Sequence, residues 1–160
     1  MIDEQGYRPN VGIIIVNDEK QVLLAQRRYP RSAWQFPQGG IKPGESPLQG
    51  MYRELEEELG LKSDQVEVLA ESKEWYSYLL PEEFVRSWSE PVCIGQKQKW
   101  FLLNKLVSDS VVNLSASPKP EFKHWDWVDY WVPYQRVVDF KQAVYKQILT
   151  EFASLVGVAS

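Results

Sequence analysis

Four glutamates at positions 54, 56, 57 and 58 are the residues of this 160-residue chain whose spacing most directly indicates chemistry. On an α-helix with about 100° per residue, Glu54, Glu57 and Glu58 share one edge, and Glu56 falls on the other flank of the apolar stripe. Like charges four residues apart destabilise a helix, so a divalent cation bound at this edge would remove the repulsion between the carboxylates. Carboxylate oxygens suit Mg²⁺ or Mn²⁺, and Mg²⁺ commonly bridges carboxylates to substrate phosphates. The alternative is a solvated acidic helix face without a ligand.

The helix that carries these glutamates is predicted over residues 47–59. Ser46 is a capping residue, Pro47 suits the first helical position, and Gly60 fits a left-handed stop. Its apolar face consists of Leu48, Met51, Tyr52, Leu55 and Leu59. Packing of this face on a sheet would place the acidic edge beside the buried stripe.

Short runs of β-branched and aromatic residues flank this helix along the chain. They predict strands within residues 11–16, 22–25, 35–38, 66–80, 96–107 and 121–128. Apolar residues at helical spacing after Pro133 predict a last helix, capped by Asp139 and ending near residue 156. Strands interleaved with two helices, beginning with a hairpin, indicate an α/β fold in which a mixed central sheet lies between helices.

The composition is that of an ordinary globular chain with an acidic balance. Hydrophobic residues make up 44% and charged residues 25%, which excludes collagen-like and disordered classes. The length predicts one domain over residues 1–160. The net charge of −4 disfavours DNA binding and broad coating of RNA, although a local phosphate site remains compatible with it. The longest apolar run, residues 11–16, is too short for a membrane span, and the acidic start at residues 1–5 predicts a cytoplasmic location.

The segment over residues 39–61 resembles the Nudix box, G-x5-E-x7-R-E-U-x-E-E-x-G-U, in which U is an apolar residue. All specified positions match, namely Gly39, Glu45, Arg53, Glu54, Leu55, Glu57, Glu58, Gly60 and Leu61. The resemblance implies an α/β/α sandwich and a hydrolase in which water attacks a phosphoanhydride bond. It implies metal ligation by Gly39, Glu54, Glu57 and Glu58, with Mg²⁺ as the expected ion and Mn²⁺ or Zn²⁺ as alternatives. These glutamates and Arg53 are the expected catalytic residues.

A further acidic residue outside the box is also implied by the resemblance. The residues around Glu121 are similar to the family segment P-E-F-x-x-W-x-W-V, which makes Glu121 a candidate metal ligand and catalytic residue. Either Glu57 or Glu121 is expected to accept the proton of the attacking water, and the sequence does not rank the two. Arg53 lies one helical turn before Glu57 and is expected to hold that carboxylate in place. His124 is assigned no catalytic role, because the family uses carboxylates.

The resemblance extends over nearly the whole chain, from about residue 6 to residue 152. Residues 6–12, 34–40 and 91–101 look like those of the bacterial Nudix enzymes that convert the 5′-triphosphate end of RNA into a monophosphate and so prime transcripts for decay. The implied partner is that RNA end, recognised by a protein expected to be a monomer. Hydrolysis of dinucleoside polyphosphates is the alternative activity. A non-enzymatic ligand sensor is a third hypothesis, against which the intact glutamates argue.

The candidate substrate-binding residues are Arg8, Arg28, Tyr78, Phe140 and Lys141. A guanidinium offers both a fork of donors for phosphate and a flat face for a base, which suits Arg8 and Arg28 to either contact. Tyr78 and Phe140 are candidates to hold an unpaired base, with core packing as the alternative. Lys141, near the start of the last predicted helix, is a candidate phosphate contact.

Overall fold

A computed structural model describes residues 2–28, 32–85 and 92–160 of the protein. The fold is built on one mixed β-sheet. The strands are β1 (Tyr7–Val16), β2 (Gln21–Arg27), β3 (Trp34–Gln35), β4 (Gln38–Gly40), β5 (Val66–Glu71), β6 (Tyr76–Leu79), β7 (Gly95–Lys105) and β8 (Phe122–Asp129). The helices are α1 (Pro47–Leu59), α2 (Val132–Arg136) and α3 (Gln142–Val156). Short 3₁₀ turns lie at Ser63–Gln65, Glu82–Phe84, Asp109–Val111 and Asp139–Lys141.

The sheet is mixed because a parallel pair lies at its centre. Its main path runs β3-β2-β1-β7-β5, and β1 and β7 pair in parallel from Tyr7 opposite Gly95 to Val16 opposite Asn104. The hairpin partner β2 is antiparallel to β1, and β8 is antiparallel to β2. The short β4 pairs with β1, and β6 pairs with β7. This arrangement confirms the predicted mixed sheet of an α/β fold.

Each face of the sheet carries its own helix and its own apolar core. Successive strand residues point to opposite faces, so Ile13 and Ile15 pack with α1 while Ile14 packs with α3. Leu55 is fully buried on the α1 side and Ile148 on the α3 side. The layers therefore form the α/β/α sandwich that the sequence predicted.

Helix α1 begins and ends at the residues that the sequence predicted, because local capping fixes both ends. The Gln49 N–H donates to Ser46 Oγ at 3.1 Å, and the Ser46 N–H donates to Gln49 Oε1 at 2.8 Å. Gly60 ends the helix with φ of 68°, a left-handed conformation that favours glycine. The caps thus fix which residues of the box are helical, and with them the shared edge of Glu54, Glu57 and Glu58.

Three local predictions differ from the structure. The predicted strand over residues 35–38 is divided into β3 and β4, since Pro37 has no N–H for a ladder and the Phe36 N–H donates to Tyr145 Oη at 2.9 Å. The predicted segment 66–80 divides into β5 and β6, which both pair with β7. The proposed cap at Asp139 is wrong, because this residue begins a 3₁₀ turn and its side chain caps neither that turn nor α3.

None of the helices in the described part of the chain combines the length and the apolar character that a bilayer crossing requires.

Candidate active site

Three carboxylates of α1 converge at one edge of the helix. Oxygen atoms of Glu54, Glu57 and Glu58 all lie within 4.8 Å of one another. Glu54 and Glu58 are only 8% and 5% exposed, and one oxygen of Glu58 is buried without a hydrogen-bond partner among the described residues. Burying an acceptor unpaired is unfavourable, and a cation at the cluster would satisfy it. A solvated acidic face, the alternative left open by the sequence, does not describe two buried glutamates.

The acidic cluster holds more negative charge than its surroundings neutralise. Burial, together with the neighbouring carboxylates of Glu121, Glu54 and Glu57, raises the pKa of Glu58 to about 8. Burial also raises the pKa of Glu54, although Arg53 opposes that shift. A divalent cation would favour the ionised form of each of these groups, so the donor set fits a hard metal ion.

Arg53 joins the acidic cluster to the loop that precedes α1. Its guanidinium makes a bidentate contact with Glu45, with Nε to Oε2 at 2.7 Å and Nη2 to Oε1 at 2.9 Å. Nη2 also donates to the Gly40 carbonyl at 2.7 Å, and Nη1 donates to Glu54 at 2.8 Å and to Glu57 at 3.4 Å. The hydrogen bonds from Arg53 hold the pKa of Glu45 at about 2. Arg53 therefore holds Glu57, as the sequence predicted, but its shorter contacts fix Glu54 and the loop.

The sequence matched Glu45 to the box without assigning it a function. The structure shows that it is the main partner of Arg53, and its other contact is the Lys42 N–H, which donates to Oε1 at 2.8 Å. The eight-residue separation hides this pair from any helical pattern, because Glu45 lies before the helix begins. Only the box spacing itself signals that the two residues belong together.

Gly39 lies directly beneath the acidic cluster. It pairs with Val11 in the sheet, and a Cβ atom at this position would overlap the carboxylate carbon of Glu54. Glycine is therefore required for the carboxylate to lie against β4. This close approach places the Gly39 backbone beside the three carboxylates, consistent with its candidacy as a metal ligand.

Glu121 reaches the same cluster from the residue before β8. Its carboxylate is near enough to Glu58 and Glu54 to raise the pKa of both groups, and its charge also raises the pKa of Lys141. Its backbone carbonyl accepts the Arg28 N–H at 2.8 Å, which ties this residue to the end of β2. Glu121 thus lies between the acidic cluster and the residues around Lys141.

A cavity of about 340 Å³ opens next to the cluster, and we call it the cationic pocket. Arg8, Arg27 and Lys141 line it, and no carboxylate is among its described lining residues. A Cβ on Gly40 would lie 2.8 Å from Arg8 Nη2, while the Gly40 carbonyl binds Arg53. The pocket and the acidic cluster are therefore neighbours across β4, with opposite charge.

Lys141 is the most deeply placed cation of the pocket. It is 8% exposed, and its ammonium donates to Gln35 Oε1 at 3.3 Å and to Gln38 Oε1 at 3.2 Å. Burial and the charge of Arg27 lower the pKa of Lys141, the charge of Glu121 opposes them, and the resulting pKa is about 8. Neutral amide oxygens orient the ammonium without neutralising it, so its charge stays available to an anionic ligand.

The aromatic wall of the pocket contains Tyr78 and Phe140, with ring centroids 5.7 Å apart. Tyr78 is buried, and its hydroxyl donates to Gln96 Oε1 at 2.6 Å. Burial raises the pKa of Tyr78 to about 12, so the hydroxyl keeps its proton at neutral pH. Phe140 is only partly buried. Most of the Tyr78 ring is therefore packed in the core, whereas the Phe140 ring is more accessible to a ligand.

The structure places Arg27 in the pocket and leaves Arg28 outside it. Arg28 is exposed and is not among the residues that line the cavity, although the sequence suggested it as a substrate contact. Neighbouring residues of an extended strand point in opposite directions, and an irregular register between Gln26 and Arg27 fixes which one turns inward. Arg27 was not predicted from the sequence, since that local irregularity has no clear sequence signal.

Comparisons with known proteins agree with this arrangement. The family profile described as the NUDIX domain matches residues 6–152. RNA pyrophosphohydrolase of Hydrogenovibrio crunogenus is 56% identical over 94% of this chain and 91% of its own length. The enzyme of that name from Pectobacterium atrosepticum is 56% identical over 96% of this chain and 86% of its own length.

Solved structures of more distant proteins share the fold. The dihydroneopterin triphosphate pyrophosphohydrolase of E. coli has a TM-score of 0.72 at 19% identity, covering 91% of this chain and 98% of that one. An Ap4A hydrolase of C. elegans in a binary complex has a TM-score of 0.65 at 20% identity, covering 92% of this chain and 98% of that one. At such identities the likeness concerns the fold alone.

Replacement of Gly39 by alanine should weaken metal binding while leaving the protein folded. The new Cβ overlaps the Glu54 carboxylate and must displace it, so Mn²⁺ affinity measured by isothermal titration calorimetry should fall about 10-fold to 100-fold. Gly44→Ala is the control, because a Cβ there meets nothing within 4 Å; the strain of its positive φ should lower thermal stability but leave the carboxylates and Mn²⁺ affinity unchanged. Wild-type Mn²⁺ affinity in folded Gly39→Ala would contradict the placement of the site.

The stability of the metal-free protein should fall as pH rises from about 4.5 to about 8. Burial raises the pKa of Glu58 from its ordinary value of 4.5 to about 8, so in this window the native state binds a proton that the unfolded chain releases. Thermal unfolding in EDTA should therefore give a lower Tm at pH 8.5 than at pH 5, and Glu58→Gln should flatten this dependence. An equally steep dependence in the variant would show that Glu58 is not the group responsible.

Proposed function

Because the chain belongs to the Nudix hydrolase family, we propose that it hydrolyses the 5′-triphosphate of RNA to a 5′-monophosphate and thereby starts mRNA decay. The observation that carries this proposal is the position of two oppositely charged sites, the acidic cluster of α1 and the cationic pocket, on either side of β4. A triphosphate needs a metal-binding group at its anhydride and cations along its remaining oxygens. The relatives described as RNA pyrophosphohydrolases support the choice of RNA.

The residues proposed to hold the metal are Glu54, Glu57, Glu58, Glu121 and the backbone of Gly39. Mg²⁺ is the ion proposed, since the ligands are hard oxygens, and Mn²⁺ or Zn²⁺ are alternatives. When bound, a divalent metal lowers the pKa of water and offsets the charge of the anhydride. The orphaned Glu58 oxygen and the convergence of the three helix carboxylates support this assignment.

Glu57 is the proton acceptor in this proposal, and Glu121 is the alternative. The Glu57 side chain is 42% exposed, the most accessible of the three clustered glutamates, so water can reach it. Its contact with Arg53 Nη1 at 3.4 Å is long and leaves the carboxylate free to accept a proton. Glu54 is less suited, because Arg53 holds it at 2.8 Å.

The cationic pocket is proposed to bind the nucleotide part of the substrate. Arg8 and Lys141 are positioned to contact phosphate oxygens, and Arg27 replaces Arg28 in this assignment. Phe140 provides a ring against which an unpaired base can stack, with Tyr78 behind it. A dinucleoside polyphosphate offers the same phosphates and a base, so the pocket accommodates this second substrate class as well.

The two substrate classes are separated by their specificity constants. With Mg²⁺ present, kcat/KM should be higher for a 5′-triphosphorylated oligonucleotide than for diadenosine tetraphosphate, and the RNA product should carry a 5′-monophosphate. Product analysis by mass spectrometry checks the second point. A clear preference for the dinucleotide would instead assign the protein as a dinucleoside polyphosphate hydrolase.

Replacement of Glu57 by glutamine should lower kcat about 100-fold or more, since an amide cannot accept the proton of the attacking water. Glu56→Gln is the matched control, because Glu56 lies one residue away, is exposed and is outside the cluster. Circular dichroism should show both variants folded. Full turnover by Glu57→Gln would transfer the role of proton acceptor to another group, with Glu121→Gln the next variant to measure.

A further inference from the structure

We propose that a surface beside the mouth of the cationic pocket binds the phosphates of the RNA chain that continues in the 3′ direction from the pocket. The surface consists of Trp34, Lys123 and Arg136, and we call it the basic ledge. The inference rests on the proposed RNA substrate and extends it from the 5′ end to the following nucleotides. It concerns residues to which neither the box nor the pocket assigns a function.

The position of the basic ledge follows from the segment at the start of β3. Ala33 lines the cationic pocket, and its carbonyl accepts the Arg27 N–H at 2.8 Å. The residues on either side of Ala33 each hold one cation. Lys123 Nζ donates to Ser32 Oγ at 2.7 Å, and the guanidinium carbon of Arg136 lies 4.6 Å from the Trp34 ring centroid. Both cations are thus fixed one residue from the pocket wall.

A second connection joins the basic ledge to the pocket from the other side. Arg136 is the last residue of α2, and Val138, two residues later, lines the pocket. Ala33 and Val138, two lining residues of the pocket, are thus each within two residues of a residue of the ledge or its contacts. In the proposal, an RNA chain that leaves the pocket beside these two residues places its next phosphates on the ledge.

The cations of the basic ledge differ from several other lysines of the protein in their charge partners. Lys97, Lys99 and Lys105 have carboxylate oxygens at 3.0 Å, 3.9 Å and 2.8 Å. Within the described residues, neither Lys123 nor Arg136 has a carboxylate within ion-pair distance, and both are exposed. Their charges are therefore available to an external anion.

The charge of the whole chain makes such local cations necessary for RNA binding. The net charge of −4 repels a polyanion on average, so attraction must come from places where cations lack acidic neighbours. The stacking of Arg136 on Trp34 restricts the guanidinium before any ligand binds, which reduces the entropy lost when it contacts a phosphate. Charge complementarity and continuity with the pocket both favour single-stranded RNA as the occupant.

The experiment compares substrates that end inside the pocket with substrates that extend beyond it. Kinetics are measured for a 5′-triphosphorylated dinucleotide and for an octanucleotide with the same 5′ sequence, at several salt concentrations. The variant is Lys123→Gln combined with Arg136→Gln. We expect its KM for the octanucleotide to rise about fivefold at low salt, with kcat unchanged and dinucleotide kinetics unaltered.

The salt dependence gives a second, independent readout. Each phosphate contact to a single strand contributes about 0.7 to the slope of log KM against log salt concentration, so the double variant should lose about 1.4 of that slope for the octanucleotide. The matched control is Lys62→Gln with Lys73→Gln, since these exposed lysines flank β5 at the opposite edge of the sheet. This control should behave like the wild type.

Any of three results would contradict the proposal that the basic ledge binds RNA. They are an unchanged octanucleotide KM in the Lys123/Arg136 variant, an equal KM increase for both substrates, and an equal effect in the control variant. Failure of the proposed function looks different, because the wild-type protein would then hydrolyse neither triphosphorylated RNA. Wild-type turnover of the dinucleotide therefore separates the two proposals.

Discussion

The contact of the Arg53 guanidinium with Glu45, Glu54 and Glu57 is the interaction on which the site depends. Folding brings Glu54, Glu57 and Glu58 within 4.8 Å of one another and buries two of them, which is unfavourable without a counter-charge. Arg53 supplies that charge and, through Glu45 and the Gly40 carbonyl, fixes it to the loop before α1. Arg53 neutralises only part of the cluster, so the site retains the negative charge that a metal ion requires.

The sheet determines how this cluster meets the substrate pocket. Strand β4 separates the two, with Gly39 touching Glu54 on one side and Gln38 holding Lys141 on the other. Three consecutive residues, Gln38 to Gly40, thus support both the metal-binding group and the cationic group. Because Gly39 and Gly40 have no side chains, Glu54 and Arg8 can lie directly against the strand. The close approach of opposite charges is a consequence of this short, side-chain-poor strand.

The distribution of charge explains how an acidic protein can act on a polyanion. Carboxylates are concentrated on one edge of α1 and at Glu121, while the pocket beside them has three cations and no described carboxylate in its lining. Lys141 keeps its charge near neutral pH despite burial, because the charge of Glu121 opposes the effect of burial and the pKa of Lys141 falls only to about 8. Overall charge therefore predicts little about such a site, since the fields of adjacent groups dominate at contact distance.

The sequence by itself determined the features that depend on local geometry. Helix α1 and its caps follow from Ser46, Pro47 and Gly60, and the shared edge of its glutamates follows from the helical period. The box matched Arg53 and Glu45, and it was the structure that showed the two to be partners. The mixed sheet between helices also followed from the order of strand-like and helix-like segments.

Only the tertiary structure decided which side chains meet in the pocket. Arg27 rather than Arg28 points inward because of an irregular register between β2 and β8, which depends on pairing between distant segments. The contact of Lys141 with Gln35 and Gln38 joins residues more than one hundred positions apart. Asp139 suits a helix cap by type, but the chain forms a 3₁₀ turn there. Periodicity describes one element at a time, whereas these choices depend on how elements pack against each other.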